Sequence, residues 1–122
     1  MKLGIPVSSV HEFALDLLLR GHSVLLYSPY AYTRDSVTKH IFLAMTADGY
    51  NVRIDRKYNT VTFLGATFIA SSFDPMTAGS HFRAPVIIHH FPQQADLQAV
   101  QATLCNLIKF PDGQDGLYVV LQ

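Results

Sequence analysis

Apolar residues recur at Val10, Phe13, Ala14, Leu17 and Leu18, a spacing that lays one stripe along a helix. Ser8 or Ser9 stands just before the stripe, and Glu12 follows Ser9 by three positions, the spacing of a capping box. Arg20-Gly21 predicts the helix end, since glycine accepts the left-handed conformation there. The period then changes. Ser23-Val24-Leu25-Leu26-Tyr27 is a continuous apolar run, expected to be a strand buried on both faces, and Ser28-Pro29-Tyr30 ends it. A second helix is predicted from Thr33 or Arg34 to about Ala47, closed by Asp48-Gly49.

Beyond Gly49 the period is two. Val52, Ile54, Val61 and Phe63 alternate with polar residues and predict a hairpin that turns at Lys57-Tyr58-Asn59. Gly65 breaks the pattern before a further strand, Thr67-Phe68-Ile69-Ala70. Residues 72–84, with Asp74-Pro75, Gly79 and Ser80, read as a loop. Pro85-Val86-Ile87-Ile88-His89 is a second fully apolar strand, a helix is expected from Pro92 or Gln93 to Leu107, and Leu117–Leu121 is a last strand after Pro111-Asp112-Gly113. Helices alternating with apolar strands predict one α/β domain over residues 1–122. Its expected form is a mainly parallel sheet flanked by helices with an inserted β-hairpin, a RecA/Rossmann-like three-layer architecture. The last strand, lying at the chain's end, is expected to offer an edge to a second copy, so a homodimer is a candidate assembly.

Composition narrows the class. The 122 residues are 49% apolar and 15% charged, which excludes a disordered tail. Nine Lys and Arg balance nine acidic residues, which argues against a wholesale electrostatic nucleic-acid binder. Cys105 stands alone in the apolar run 102–108, so no intramolecular disulfide forms and an inert buried thiol is expected. No secretory leader is evident, and no apolar run approaches the roughly 18–20 residues of a membrane helix. A soluble cytoplasmic protein without membrane contact is the expectation.

Three stretches carry a resemblance. Gly4-Ile5-Pro6-Val7-Ser8-Ser9-Val10-His11 precedes a helix, Arg20-Gly21-His22 and the strand Val24–Tyr27; Asn51 to Ser71 forms the hairpin region; and Gly79 to His90 ends in Val86-Ile87-Ile88-His89-His90. In order and spacing they resemble a P-loop ATPase core, most of all the ATPase domain of phage large terminases, over roughly residues 3–90. A working phosphate loop reads G-x-x-x-x-G-K-[ST]. Carried over by position, Gly4 keeps the first glycine, Ser8 lies within the loop, Ser9 replaces the second glycine, Val10 the lysine and His11 the metal-binding hydroxyl residue. At the end of the Walker B strand the family's Asp and Glu are replaced by His89 and His90. Such a site works by compensating phosphate charge, so the resemblance implies a core that has lost hydrolysis and uses no cofactor. It further implies a phage or mobile-element origin, a host-cytoplasmic setting, and a role as inhibitor, assembly factor or virion component that binds a protein partner. The opening βαβ pattern also resembles Rossmann-type nucleotide-binding domains, although G-x-G-x-x-G is absent.

The remaining constellations are weaker. Six histidines invite a metal site, but His89 and His90 alternate faces on a strand, and His81 with Asp74 would have to fold back to meet either. His22 reads as polar surface, while His11 and His40 lie in separate helices without a partner four residues on. Ser28, Ser71 and Ser72 read as turn and cap residues, since no G-x-S-x-G elbow surrounds them. Arg53, Arg56, Lys57 and Tyr58 at the hairpin tip, with Tyr30 at a strand end, are the candidate contacts for DNA or a protein partner.

Overall fold

The computed structural model describes residues 2–72, 84–90 and 109–121. Seven strands, β1 (Lys2–Ile5), β2 (Val24–Tyr27), β3 (Arg53–Asp55), β4 (Thr60–Phe63), β5 (Ala66–Ser71), β6 (Val86–His90) and β7 (Leu117–Leu121), form one sheet in the order β1-β7-β6-β2-β5-β4-β3. β1, β7, β6, β2 and β5 run parallel. β4 and β3 extend the sheet as an antiparallel meander. The expected α/β sheet with its inserted hairpin is therefore what forms. In both common doubly wound orders the first strand neighbours the second. Here β7 and β6 separate them, so the order departs from both.

Two described helices, α1 (Val10–Leu19) and α2 (Ala31–Ala47), pack against each other and against one sheet face. α1 buries Val10, Ala14, Leu17 and Leu18, the predicted stripe, and α2 buries Val37, Ile41 and Met45. They meet Val24, Leu26, Phe68, Val86, Ile88 and Val119 in a single core. The other face is dry as well, with Leu25, Ile87, His89, Tyr118 and Val120 almost fully buried. Burial on both faces is what a central parallel strand requires, and it explains why β2 and β6 read as unbroken apolar runs rather than alternating ones.

Four expectations need correction. Ser9 makes no side-chain capping bond: it has helical backbone angles, because a 3-10 turn over Val7–Ser9 already starts the winding. Glu12 points instead to α2, with Oε1 2.9 Å from His40 Nε2. α2 starts at Ala31, earlier than Thr33, since extended Tyr30 serves as its N-cap. Finally, β7 is no edge: it lies between β1 and β6, so its hydrogen-bonding sides are both occupied and pairing with a second copy through this strand is precluded. Among the described residues the sheet edges are β1 and β3. Residues 73–83 of the predicted loop 72–84, with His81 and Asp74, and the helix from Pro92 or Gln93 to Leu107, with Cys105, lie outside the described residues.

The β4–β5 connection carries a local conflict. Leu64 and Gly65 both have positive φ, 49° and 84°, the two-residue turn that matches strand twist in a hairpin. Gly65 adopts this freely, whereas a leucine in the left-handed region costs about 1–2 kcal/mol and here is 88% exposed. Leu64→Asn is expected to raise stability by about 1 kcal/mol, a few degrees in Tm, because asparagine tolerates that conformation. An unchanged or lower melting temperature by scanning calorimetry would show that Leu64 is not strained.

Candidate functional site at the C-terminal edge of the sheet

The five parallel strands end at one sheet edge, the usual location of ligands in α/β folds. β3 runs parallel to β2 through the intervening meander, so its turn, residues 56–59, reaches the same edge. Several of the described positions singled out in the sequence lie there or border it: the segment after β1, Ser28 and Tyr30 after β2, the β3–β4 tip, and His89 and His90 at the end of β6. Arg53 begins β3 and His22 precedes β2, both at the opposite end of their strands.

The segment that would hold phosphates is short and self-bonded. Gly4 lies inside β1, opposite Val120, and Pro6 has no N–H to offer. The Ser9 N–H donates to the Pro6 carbonyl at 3.0 Å, and the Val10 N–H to the Val7 carbonyl. A phosphate cradle needs such amides turned outward. The Val10 side chain faces the core and is fully buried. His11, in the position of the metal-binding hydroxyl residue, points to α2: Nε2 lies 2.8 Å from Ser36 Oγ and its ring meets the His40 ring edge-on at 5.4 Å. Burial, then the neighbouring His40, hold the His11 pKa below its ordinary value, against an opposing pull from Glu12. Ser8 and Ser9 are exposed.

At the β6 end the two histidines diverge, as strand alternation demands. His89 turns into the face away from α1, fully buried, with Nδ1 3.0 Å from the Tyr118 hydroxyl and its ring 4.7 Å from that of Tyr27. His90 turns to the helix side, where Nδ1 lies 3.0 Å from Ser28 Oγ and the ring packs on Tyr30 at 5.2 Å. Burial lowers the His90 pKa. The Ser28–His90 pair was not read from sequence. Its signal is the parallel register: Tyr27 stands opposite His89, so the next residues meet. The pair is not presented as a nucleophile and base. Ser28 is fully buried, and its Oγ also accepts the Tyr30 N–H at 3.2 Å, while its carbonyl accepts Arg34 Nη1 at 2.7 Å. These bonds fasten the end of β2 to β6 and to the first turn of α2.

The hairpin tip is open. Arg53, Arg56, Lys57 and Tyr58 are all exposed, and Lys57 Nζ sits over the Tyr58 ring at 5.3 Å. Asp55 Oδ1 accepts the Lys57 N–H, and Asn59 Nδ2 donates to Asp35 Oδ1, tying the tip to α2. Arg53 and Asp55 flank half-buried Ile54 on the exposed side of β3, as alternation predicts. His22, read as surface, is half-buried with its ring 5.1 Å from Phe110. Among the described residues no three His, Cys, Asp or Glu side chains converge to hold a metal ion, and no helix is long and apolar enough to cross a membrane.

Comparison with protein-family models and with curated proteins gives no match. Among solved structures the chain is similar to the crystal structure of the HK97 bacteriophage large terminase, with a TM-score of 0.62 at 10% sequence identity. The similarity covers 99% of this chain but only 29% of that one, so the chain spans under a third of the terminase's length. At this identity the likeness is one of fold: the seven-stranded, mostly parallel sheet of this chain is a terminase-like α/β fold.

Proposed function

We propose that the chain is a non-catalytic module with a terminase-like core, derived from a phage or mobile element, that acts by binding a protein partner as an inhibitor or assembly factor. The observation that carries this reading is the segment between β1 and α1. Its Ser9 and Val10 amides bond inward to Pro6 and Val7, and the side chain at the lysine position is part of the hydrophobic core. A triphosphate held there would find the Ser9 and Val10 amides already bonded and, in the family's lysine and Walker B positions, a buried valine and two histidines instead of the cation and carboxylates that perform phosphoryl transfer. The strand order supports the same reading over a Rossmann-type dinucleotide site, since the doubly wound sheets that build that site have β1 beside β2 and these are separated here.

Mg-ATP, Mg-GTP, NAD and a UDP-sugar are each expected to leave the melting temperature unchanged, and ATP turnover to stay at the background of a buffer control. A bound ligand at a hundred times its Kd stabilises by about 2.7 kcal/mol, several degrees for a domain of this size, so binding would be plainly visible. Turnover above background that Val10 or His89 substitutions abolish would overturn the reading.

A further inference from the structure

The cations of the described chain divide into two groups. Arg20 pairs with Asp16, Lys109 with Asp115, and Arg34 donates to the Ser28 carbonyl. Lys39 on α2, and Arg53, Arg56 and Lys57 on the hairpin, form no ion pair with a described residue, and all four are exposed. Lys39 and Arg56 line a groove between α2 and β3, while Lys57 stands at the tip beside it and Arg53 alternates to the other face of β3. This groove, about 290 Å³, is lined by Asp35, Thr38, Lys39, Ile54, Arg56 and Asn59. Its size falls just below the range of roughly 300–1,000 Å³ typical of small-molecule sites, and suits a side chain or two better than a cofactor. Its wall is β3, which pairs only with β4 among the described residues and so leaves one side of its backbone open.

We propose that this groove receives an extended acidic segment of a protein partner, added as a further strand on β3 with its carboxylates between Lys39 and Arg56. The inference rests on the reading of the chain as a partner-binding module, and it names the surface and the chemistry of the partner. Strand addition supplies main-chain hydrogen bonds, and alternate side chains of the added strand fall on the groove side, where Ile54 gives an apolar floor. Charge sets the sign of the partner. A carboxylate arriving between Lys39 and Arg56 meets two cations with no ion pair to a described residue; the one acid lining the groove, Asp35, keeps its charge but is held towards Asn59, which leaves the lining with a net positive balance. A nucleic-acid backbone fits less well, because Asp35 and Asp55 interrupt the cations and a continuous run of phosphates would pass both.

The test is a selection of random twelve-residue peptides displayed on phage against the folded chain, followed by anisotropy titrations with the labelled winner. Sequences with Asp or Glu at alternate positions are expected. Their affinity should fall at least tenfold in Lys39→Glu/Arg56→Glu and hold within twofold in Arg20→Glu. A proline placed mid-peptide should abolish binding, and rising salt should weaken it. Circular dichroism verifies that each variant is folded, and Lys39→Arg/Arg56→Lys, which keeps the charge, should retain binding. Enrichment of basic or helical amphipathic peptides, no enrichment, or insensitivity to the double charge reversal would overturn the proposal. So would tighter, Arg56-dependent binding of a twenty-residue oligothymidylate. A failed selection with ATP turnover still at background removes the groove and leaves the module reading standing, whereas turnover removes the module reading whatever the peptides do.

Discussion

Val10→Lys, which restores the lysine of a phosphate loop, is expected to destabilise the chain strongly rather than to revive a nucleotide site. Val10 is the first residue of α1 and has no exposed surface; it belongs to the core cluster that includes Ala14, Leu18 and apolar residues of β2 and β6. An ammonium group placed there loses its hydration with no carboxylate in the core cluster to replace it. The effective penalty of such burial is several kcal/mol per ion even after relaxation. We expect a loss of about 3 kcal/mol or more and a fall in Tm of roughly ten degrees or more. Val10→Ala separates charge from volume, since it removes only two methyl groups and should cost about 2 kcal/mol. Scanning calorimetry with an ATP-turnover assay reads both. A Val10→Lys protein as stable as the parent that hydrolyses ATP would mean that the segment 6–9 rearranges into a phosphate loop, and the proposed function would fall with it.

The same residue marks the limit of what the sequence discloses. Helix α1, strands β2, β6 and β7 and the hairpin tip follow directly from periodicity, because each buries an apolar stripe or run that has no other use. The loss of the lysine is legible too. The inward direction of Val10 is legible as well, since it opens the apolar stripe; the inward bonding of the Ser9 and Val10 amides is not, because it depends on the 3-10 turn at Val7–Ser9. Long-range pairings were hidden for a similar reason. His11 with His40 and Glu12 with His40 cross between helices, and Ser28 with His90 crosses between parallel strands, so each depends on a register that local pattern does not encode. The burial of β7 between β1 and β6 is the plainest case. A strand at the end of the sequence carries no mark of whether it ends the sheet or fills its centre; its apolar run, Leu117 to Leu121, is compatible with both, and only the β1 pairing decides.

His89→Asp, which restores the carboxylate of a Walker B strand, is expected to be the second strongly destabilising change, with a deficit relative to the parent that shrinks on acidification. His89 is fully buried against the Tyr27 ring, with Nδ1 on the Tyr118 hydroxyl. An ionised carboxylate there exchanges water for one phenolic hydrogen bond and loses the ring contacts, a cost of about 3 kcal/mol or more near pH 7.5. Desolvation raises the folded-state pKa of the introduced acid above its unfolded value of about 3.9. A group raised in the folded state stabilises below its unfolded pKa and loses that contribution as pH rises through the folded one, so the variant should recover part of its deficit on acidification to about pH 5. Two histidines of the parent contribute the reverse slope over this range. His11 and His90 are held below the ordinary histidine value, so the fold prefers them neutral and loses stability as pH falls through that region. His89→Asn keeps a neutral polar group and should show the smaller loss and the parent's slope. Tm measured from pH 5 to 8, with and without Mg²⁺, distinguishes the cases. A His89→Asp protein that matches the parent at pH 7.5 and is stabilised by Mg²⁺ would place this side chain at an open, metal-competent strand end, and the phosphate-loop replacements at Ser9, Val10 and His11 would then be what still separates this core from an active one.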